Sequence, residues 1–110
     1  MLNQTNPEIQ TNLIISTGHI TLKDSNILEE MSKDSTNLLL LTTLHGGYGF
    51  SIYAAGEERE DLRHLLEEED NEGLSDNFYK LLNWAKNLNC THLIIDADGP
   101  TYNGLEIFDW

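Results

Sequence analysis

The chain has little that serves covalent cross-linking, membrane insertion or nucleic-acid binding. It has one cysteine, Cys90, so it cannot form an internal disulfide, and this fits a reducing compartment. Its longest aliphatic run, residues 38–41, is far shorter than the roughly 20 residues that span a bilayer. The six basic residues are dispersed and form no basic patch. We therefore expect a cytoplasmic protein that binds neither membranes nor nucleic acid directly.

The charge that is present is mostly negative. The chain has 19 acidic residues against six basic ones, which gives a net charge of −13. Such a charge repels phosphate groups and favours contact with basic surfaces. The expected partners are therefore proteins with positively charged surfaces.

The order of the predicted elements indicates a single α+β domain. We expect residues 1–12 to form a flexible N-terminal arm, because they are polar and contain Pro7. Residues 13–110 then read as β-α-β-β-α-α-β-β. This order predicts a mostly antiparallel sheet of four or five strands with the helices on one face.

Hydrophobic periodicity and turn residues place the individual elements. The predicted strands are 13–17, 38–41, 48–53, 91–96 and 105–110, with 38–41 at the centre of the sheet and a Gly-Gly turn at 46–47. Asp24 or Ser25 is the predicted cap of a first helix that buries Ile27, Leu28 and Met31. Ser75 is the predicted cap of a later helix that buries Phe78, Leu81, Leu82, Ala85 and Leu88.

The most unusual stretch is residues 57–72, in which nine of sixteen residues are acidic. Leu62, Leu65 and Leu66 have the spacing of one face of a helix. Residues 67–70 are all acidic and fall near the predicted C-terminal end, where the helix dipole disfavours each carboxylate by roughly 0.3–1 kcal/mol. A cluster that does not favour folding indicates a binding function.

Acidic residues three or four apart on a helix recur about every 5–6 Å and can imitate a row of DNA phosphates. The predicted partner-binding residues are Glu57, Glu60, Asp61, Glu67, Glu68, Glu69, Asp70 and Glu72. A second set on the first helix and in the hairpin extends the surface: Asp24, Glu29, Glu30, Asp34, Tyr48 and Tyr53.

The sequence contains only weak indications of catalysis. Asp96 and Asp98 follow a predicted strand and can meet a hard metal ion, but D-G-P is also a common turn sequence. The sequence "HGGYG" lacks the lysine and the spacing of a phosphate-binding loop. We predict no catalytic residue, no metal and no cofactor.

Two motifs resemble a known family. The sequence "STGHIT" at 16–21 and the ending "DGP…GLEIFDW" at 98–110 are similar to motifs of small bacterial proteins of unknown function, which are carried on plasmids, prophages and integrative elements. The resemblance implies an accessory gene of mobile DNA, often near anti-restriction genes. For the ending itself, we expect Phe108 and Trp110 to close the edge of the core from a last strand.

Three hypotheses follow. The first is an anti-defence inhibitor, foremost an anti-CRISPR protein, that occupies a basic nucleic-acid-binding groove of a host effector complex and blocks DNA binding; a restriction enzyme is the other partner considered. The second is an acidic protein-interaction module, antitoxin-like or regulatory, whose partner docks on Tyr48, Phe50 and Tyr53. The third is a metal-dependent enzyme centred on Asp96 and Asp98.

Overall fold

The computed structural model describes residues 10–34, 36, 39–44, 48–55 and 73–110. The elements, given in chain order, are β1 Asn12–Ser16, a 3-10 helix Thr17–His19, α1 Leu22–Ser32, β2 Thr42–Thr43, β3 Gly49–Tyr53, α2 Asp76–Asn87 and β4 His92–Asp96. Asn12, which the sequence placed at the end of the N-terminal arm, is the first residue of β1. The predicted acidic helix lies outside the described residues.

The four strands form one mixed sheet in the order β1-β4-β3-β2. β4 is parallel to β1 and antiparallel to β3, and β2 is antiparallel to β3. Two of the three pairings are thus antiparallel, and the predicted α+β class is confirmed. The parallel pair requires the chain to cross from β1 to β4, which lies between β1 and β3 although it is the last strand in sequence.

One face of this sheet forms the core. Because side chains alternate along a strand, the pairs Leu13–Leu93 and Ile15–Ile95 project to the same side. The buried residues of β3 join that side, since Phe50 is paired with Ile95 and Ile52 with Leu93. Both described helices contribute to the same cluster, mainly through these residues: Leu28, Phe78, Leu81, Leu82 and Ala85.

Helix α1 begins one turn earlier than the sequence suggested. Its cap is Thr21, whose hydroxyl accepts a hydrogen bond from the Asp24 backbone N–H at 3.0 Å. The predicted cap, Asp24 or Ser25, is therefore wrong. The predicted apolar side is confirmed, because Leu28 is buried and Ile27 and Met31 pack against the core.

Helix α2 has the predicted cap and most of the predicted buried face. The Ser75 hydroxyl accepts a hydrogen bond from the Phe78 backbone N–H at 3.1 Å. Leu88, however, is exposed, because the helix has ended there. The Cys90 N–H bonds to the Ala85 carbonyl, and Asn89 takes a positive φ of 60°, as in a Schellman ending.

The predicted central strand at 38–41 is wrong. In the described part of that run, residues 39–41 are irregular, and Leu40 has a φ of 50°, which a strand does not accommodate. The strand begins only at Thr42 and lies at the edge of the sheet. The antiparallel pairing expected of a hairpin is present, with Thr43 opposite Phe50. The predicted Gly-Gly turn lies outside the described residues.

A buried aspartate joins the beginnings of the two described helices. Asp24 is almost fully buried, and its two carboxylate oxygens accept hydrogen bonds from the Ser75 backbone N–H and the Ser75 hydroxyl. Asp24 lies in the first turn of α1, while Ser75 caps α2. This residue therefore stabilises the packing of the two helices. The sequence suggested that Asp24 belongs to an exposed acidic surface, and its burial shows that this expectation was wrong.

A buried histidine holds the end of the chain against its beginning. The ring of His19 is fully buried; its Nδ1 lies 2.8 Å from the Glu106 carbonyl oxygen, and its Nε2 lies 3.0 Å from the Tyr102 backbone nitrogen. A carbonyl only accepts and a backbone N–H only donates, so the ring carries its proton on Nδ1. The two motifs "STGHIT" and "DGP…GLEIFDW" are thus in direct contact through one side chain.

Residues 97–110, which we name the C-terminal segment, contain no strand, so the predicted last strand is wrong. The segment instead bonds to the region after β1: Phe108 N–H donates to the Gly18 carbonyl at 2.8 Å, and Trp110 Nε1–H to the Ile20 carbonyl at 2.8 Å. These two bonds go to the region between β1 and α1 and not to a neighbouring strand, so they do not form a β-ladder.

The C-terminal segment also covers the outer edge of β1. The Pro100 carbonyl accepts from the Ser16 N–H at 2.9 Å, and the Tyr102 hydroxyl donates to the Ile14 carbonyl at 2.8 Å. These bonds occupy groups that an unprotected edge strand offers to other chains. Gly99 permits the approach, since a Cβ there would lie 2.5 Å from the Ile15 carbonyl oxygen.

Candidate functional site

The acidic segment that the sequence singled out lies outside the described residues. This applies to eight of the predicted partner-binding residues: Glu57, Glu60, Asp61, Glu67, Glu68, Glu69, Asp70 and Glu72. Their role remains a prediction from charge and spacing. The described residues show where the second predicted set lies.

The acidic residues of α1 do not form one row. Glu30 and Asp34 line a groove of about 730 Å³ along the helix, together with Lys23. Glu29 lies on another side of α1 and lines a different depression. Lys33 forms an exposed ion pair with Glu30 at 3.1 Å, which partly offsets the negative charge of that groove. The described part of α1 thus adds only a modest acidic surface.

Asp34 has a pKa below the ordinary value of an aspartate. Its carboxylate accepts hydrogen bonds from the Thr36 backbone N–H at 2.9 Å and the Thr36 hydroxyl at 2.7 Å. Both bonds favour the ionised form and lower the pKa of Asp34, the backbone bond more strongly. Asp34 therefore places an ionised carboxylate just after the end of α1.

The two predicted tyrosines lie at opposite ends of β3. Tyr48, directly before the strand, is 69% exposed. Tyr53, the last residue of the strand, is half-buried and meets the ring of His92 edge-on, with centroids 5.7 Å apart. Their Cα atoms are five residues apart along the chain, which corresponds to about 16 Å of extended strand. They cannot bind one side chain of a partner, and Phe50 between them is buried in the core.

Tyr48 instead lies near Glu29 at a depression that we name the edge cleft. The cleft has a volume of about 350 Å³. Its described lining residues are Thr17, Ser25, Glu29, Thr43, Tyr48, Gly49, Phe50, Ala97 and Trp110. Thr17 and Ala97 directly follow β1 and β4, so the cleft lies at the carboxyl ends of the two parallel strands, a common position for ligand sites.

Sequence reasoning assigned Trp110 to the core, and the structure places it elsewhere. Its side chain is 52% exposed and lines the edge cleft, while its indole Nε1–H is held by the Ile20 carbonyl. The prediction relied on a last strand that would turn Phe108 and Trp110 towards the core. Residues 97–110 contain no strand, so Trp110 is not turned inward in that way. Phe108 is half-buried, closer to the predicted position.

The charges around the edge cleft are of one sign. Among its described lining residues the only ionisable carboxylate is Glu29, and none is basic. Its other polar and aromatic groups include the hydroxyls of Thr17, Ser25 and Thr43 and the rings of Tyr48 and Trp110. The carboxylate of Glu29 attracts cations, and the hydroxyl groups can accept hydrogen bonds from them.

Asp96 and Asp98 form a turn. A side-chain oxygen of Asp96 accepts a hydrogen bond from the Asp98 backbone N–H at 3.0 Å, and the Gly99 N–H donates to the Asp96 carbonyl at 2.9 Å. This geometry agrees with the turn interpretation. Within residues 10–34, 36, 39–44, 48–55 and 73–110, no group of three or more metal-binding side chains occurs.

The fold and the cleft define a small α+β domain with an anionic, aromatic depression at one edge of its sheet. The model of the family described as "Family of unknown function (DUF5983) C-terminal domain" matches residues 12–110, from the first residue of β1 to the chain end. The chain therefore belongs to this family. No curated protein and no solved structure shows significant similarity to it. None of the helices in the described parts of the chain is long and apolar enough to cross a bilayer.

Proposed function

We propose that the protein is a non-enzymatic anti-defence inhibitor encoded by mobile DNA. In this proposal an acidic surface occupies the basic nucleic-acid-binding groove of a host effector complex, with a CRISPR effector as the first partner to test, and thereby excludes DNA. The observation that carries the proposal is the concentration of nine acidic residues in residues 57–72 of a chain with net charge −13. The resemblance to proteins of mobile elements supports the choice of partner.

The described residues on and after α1 add negative charge of the kind that the proposed acidic surface needs. Glu29, Glu30 and Asp34 are exposed on or directly after α1. Asp24 is excluded by its burial. Because the groove of a nucleic-acid-binding protein is lined by lysine and arginine, a competitor with fixed negative charges gains from the same electrostatics as DNA.

Competition with labelled duplex DNA for a purified RNA-guided effector complex tests the proposal. The affinity of the protein for the complex, measured without DNA, should fall steeply between about 50 and 200 mM salt, as expected of a phosphate mimic. The double variant Glu68→Lys and Glu69→Lys should lose most of the inhibition. The matched control, Glu106→Lys and Asp109→Lys, makes the same charge change at two other exposed positions and should keep it.

Unfolding curves show whether both variants keep the fold. The proposal fails if the Glu68→Lys and Glu69→Lys double variant inhibits as well as the wild type. It also fails if this variant and the control variant lose inhibition equally, because the acidic segment is then not the contact.

The exposure of Tyr48 favours a second candidate, an acidic protein-interaction module whose partner docks at the hairpin. Tyr48 is accessible, whereas Phe50 is buried, so the predicted aromatic surface reduces to one end of β3. In this case Tyr48→Ala should abolish partner binding, and the affinity should change little with salt. Steep salt dependence with an unaffected Tyr48→Ala variant would exclude this candidate.

A further inference from the structure

We propose that the edge cleft binds the guanidinium group of an arginine side chain from the partner protein. This inference rests on the proposed function, in that a basic groove supplies the arginine, and it names the site where one such side chain enters. The cleft joins residues that are distant in sequence, from α1, β3 and the C-terminal segment, and so it exists only in the folded chain.

The first argument is charge. Glu29 provides a carboxylate at the cleft, and no described lining residue provides a cation to neutralise it. Ser25 lies one helical turn before Glu29 on the same side of α1, and its hydroxyl offers a further acceptor. A guanidinium group has five N–H donors and no acceptor, which matches this lining.

The second argument is the pair of aromatic rings. Trp110 and Tyr48 line the cleft and are both more than half exposed, so a ligand in the cleft can reach them. The hydrogen bond from Trp110 Nε1 to the Ile20 carbonyl fixes the ring before any ligand arrives. Cations bind most strongly to the face of tryptophan, and the planar arginine side chain also stacks on aromatic rings.

The third argument is size. A volume of about 350 Å³ is near the lower limit of ligand pockets, which suits one side chain better than a cofactor or a nucleotide. Arginine is preferred over lysine because its planar fork can donate two hydrogen bonds to one carboxylate while its face lies on a ring. The lining contains apolar as well as polar surface, and it is the carboxylate of Glu29 that favours a cationic side chain over an apolar one.

The indole ring of Trp110 can itself report whether the edge cleft is occupied. The chain has two tryptophans, Trp84 and Trp110, and only Trp110 lines the cleft. Trp84 is half-buried against the ring of Tyr102, with centroids 5.4 Å apart, and serves as an internal reference. In ¹⁵N-labelled protein, the indole N–H signal of Trp110 should shift when the cleft is filled, while that of Trp84 should not.

The experiment is a titration with the peptide acetyl-Gly-Arg-Gly-amide and with the same peptide containing citrulline, which keeps the shape of arginine and removes its charge. Arginine should give a saturable shift of Trp110, and citrulline should bind at least about tenfold more weakly, the factor that corresponds to one charge-assisted hydrogen bond. The Glu29→Gln substitution should weaken binding of the arginine peptide by a similar factor. Glu30→Gln, the neighbouring residue outside this cleft, should not.

Three outcomes overturn the inference: no saturable shift of Trp110, equal binding of the two peptides, or equal losses in Glu29→Gln and Glu30→Gln. The rest of the ¹⁵N spectrum shows whether each variant is folded. Because the titration uses the protein without any partner, its result is separate from the DNA competition. Arginine binding without inhibition would leave the cleft assigned and reject the proposed function, and inhibition without arginine binding would do the reverse.

Discussion

Replacement of His19 by alanine should detach the C-terminal segment from the body of the domain. The ring is fully buried and bonds to Tyr102 and Glu106, more than 80 residues away in sequence. Alanine keeps neither bond. Each backbone group left without a partner costs about 1–3 kcal/mol, and the space left by the ring adds a cavity term. We expect a total loss of about 3–5 kcal/mol, a large share of the 5–15 kcal/mol by which domains are stable.

Two conservative variants separate the contributions of the two hydrogen bonds to this loss of stability. Asparagine at position 19 can imitate the Nδ1 donor, and glutamine the Nε2 acceptor, so His19→Asn and His19→Gln should each be less harmful than His19→Ala. The matched control is His92→Ala, since the His92 side chain is only half-buried and its ring contact with Tyr53 is worth about 0.5–1.5 kcal/mol.

Urea unfolding followed by tryptophan fluorescence measures the effect, because Trp110 bonds to Ile20 and Trp84 contacts Tyr102. Hydrogen exchange of the Phe108 N–H, which donates to the Gly18 carbonyl, reports on the segment alone and should accelerate in His19→Ala. If His19→Ala costs no more than His92→Ala, or if Phe108 stays protected, His19 does not hold the segment and the reasoning is refuted.

Two further predictions concern a glycine and a carboxylate. Gly49→Ala should severely destabilise the domain, because the new Cβ would overlap with the Ile95 carbonyl oxygen. The control Gly18→Ala places a Cβ with no neighbour closer than 3.4 Å, and its free energy of unfolding should remain within about 1 kcal/mol of the wild type. Equal losses in urea unfolding would contradict this prediction. Thr36→Val should raise the pKa of Asp34 towards the ordinary aspartate value, because one of the two causes of its lowering is removed. The stabilisation from this carboxylate is complete above its unfolded pKa and is lost as the pH falls through its lower folded pKa, so an NMR titration of Asp34 at acid pH is the measurement, and an unchanged midpoint would show that the hydroxyl contributes nothing.

Elements whose signals are local were predicted well. β1 and β4 each contain a short apolar run rich in isoleucine, and α2 has a serine cap followed by a helical apolar stripe. The antiparallel pairing of β2 with β3 followed from two β-type runs in sequence. In each case the information lies within a few residues, where side-chain period and capping chemistry act directly.

The errors fall where several neighbouring residues compete for one role. Thr21, Asp24 and Ser25 are all suitable helix caps, and the choice of Thr21 accompanies the use of the Asp24 carboxylate by Ser75, 51 residues away. The run 38–41 is apolar enough for a central strand. The strand on that side of β3 nevertheless begins only at Thr42 and lies at the sheet edge, while β4 pairs with both β1 and β3 and occupies the middle.

The sequence by itself determined the charge, the fold class and the acidic segment that motivates the proposed function, since these depend on composition and short-range pattern. Only the tertiary structure decided that His19 joins the two motifs, that Asp24 is buried, and that Glu29, Tyr48 and Trp110 lie around one cleft. Those relations depend on contacts between residues tens of positions apart. No local propensity specifies such contacts, because they form only when the sheet order brings the carboxyl ends of β1 and β4 to the same edge.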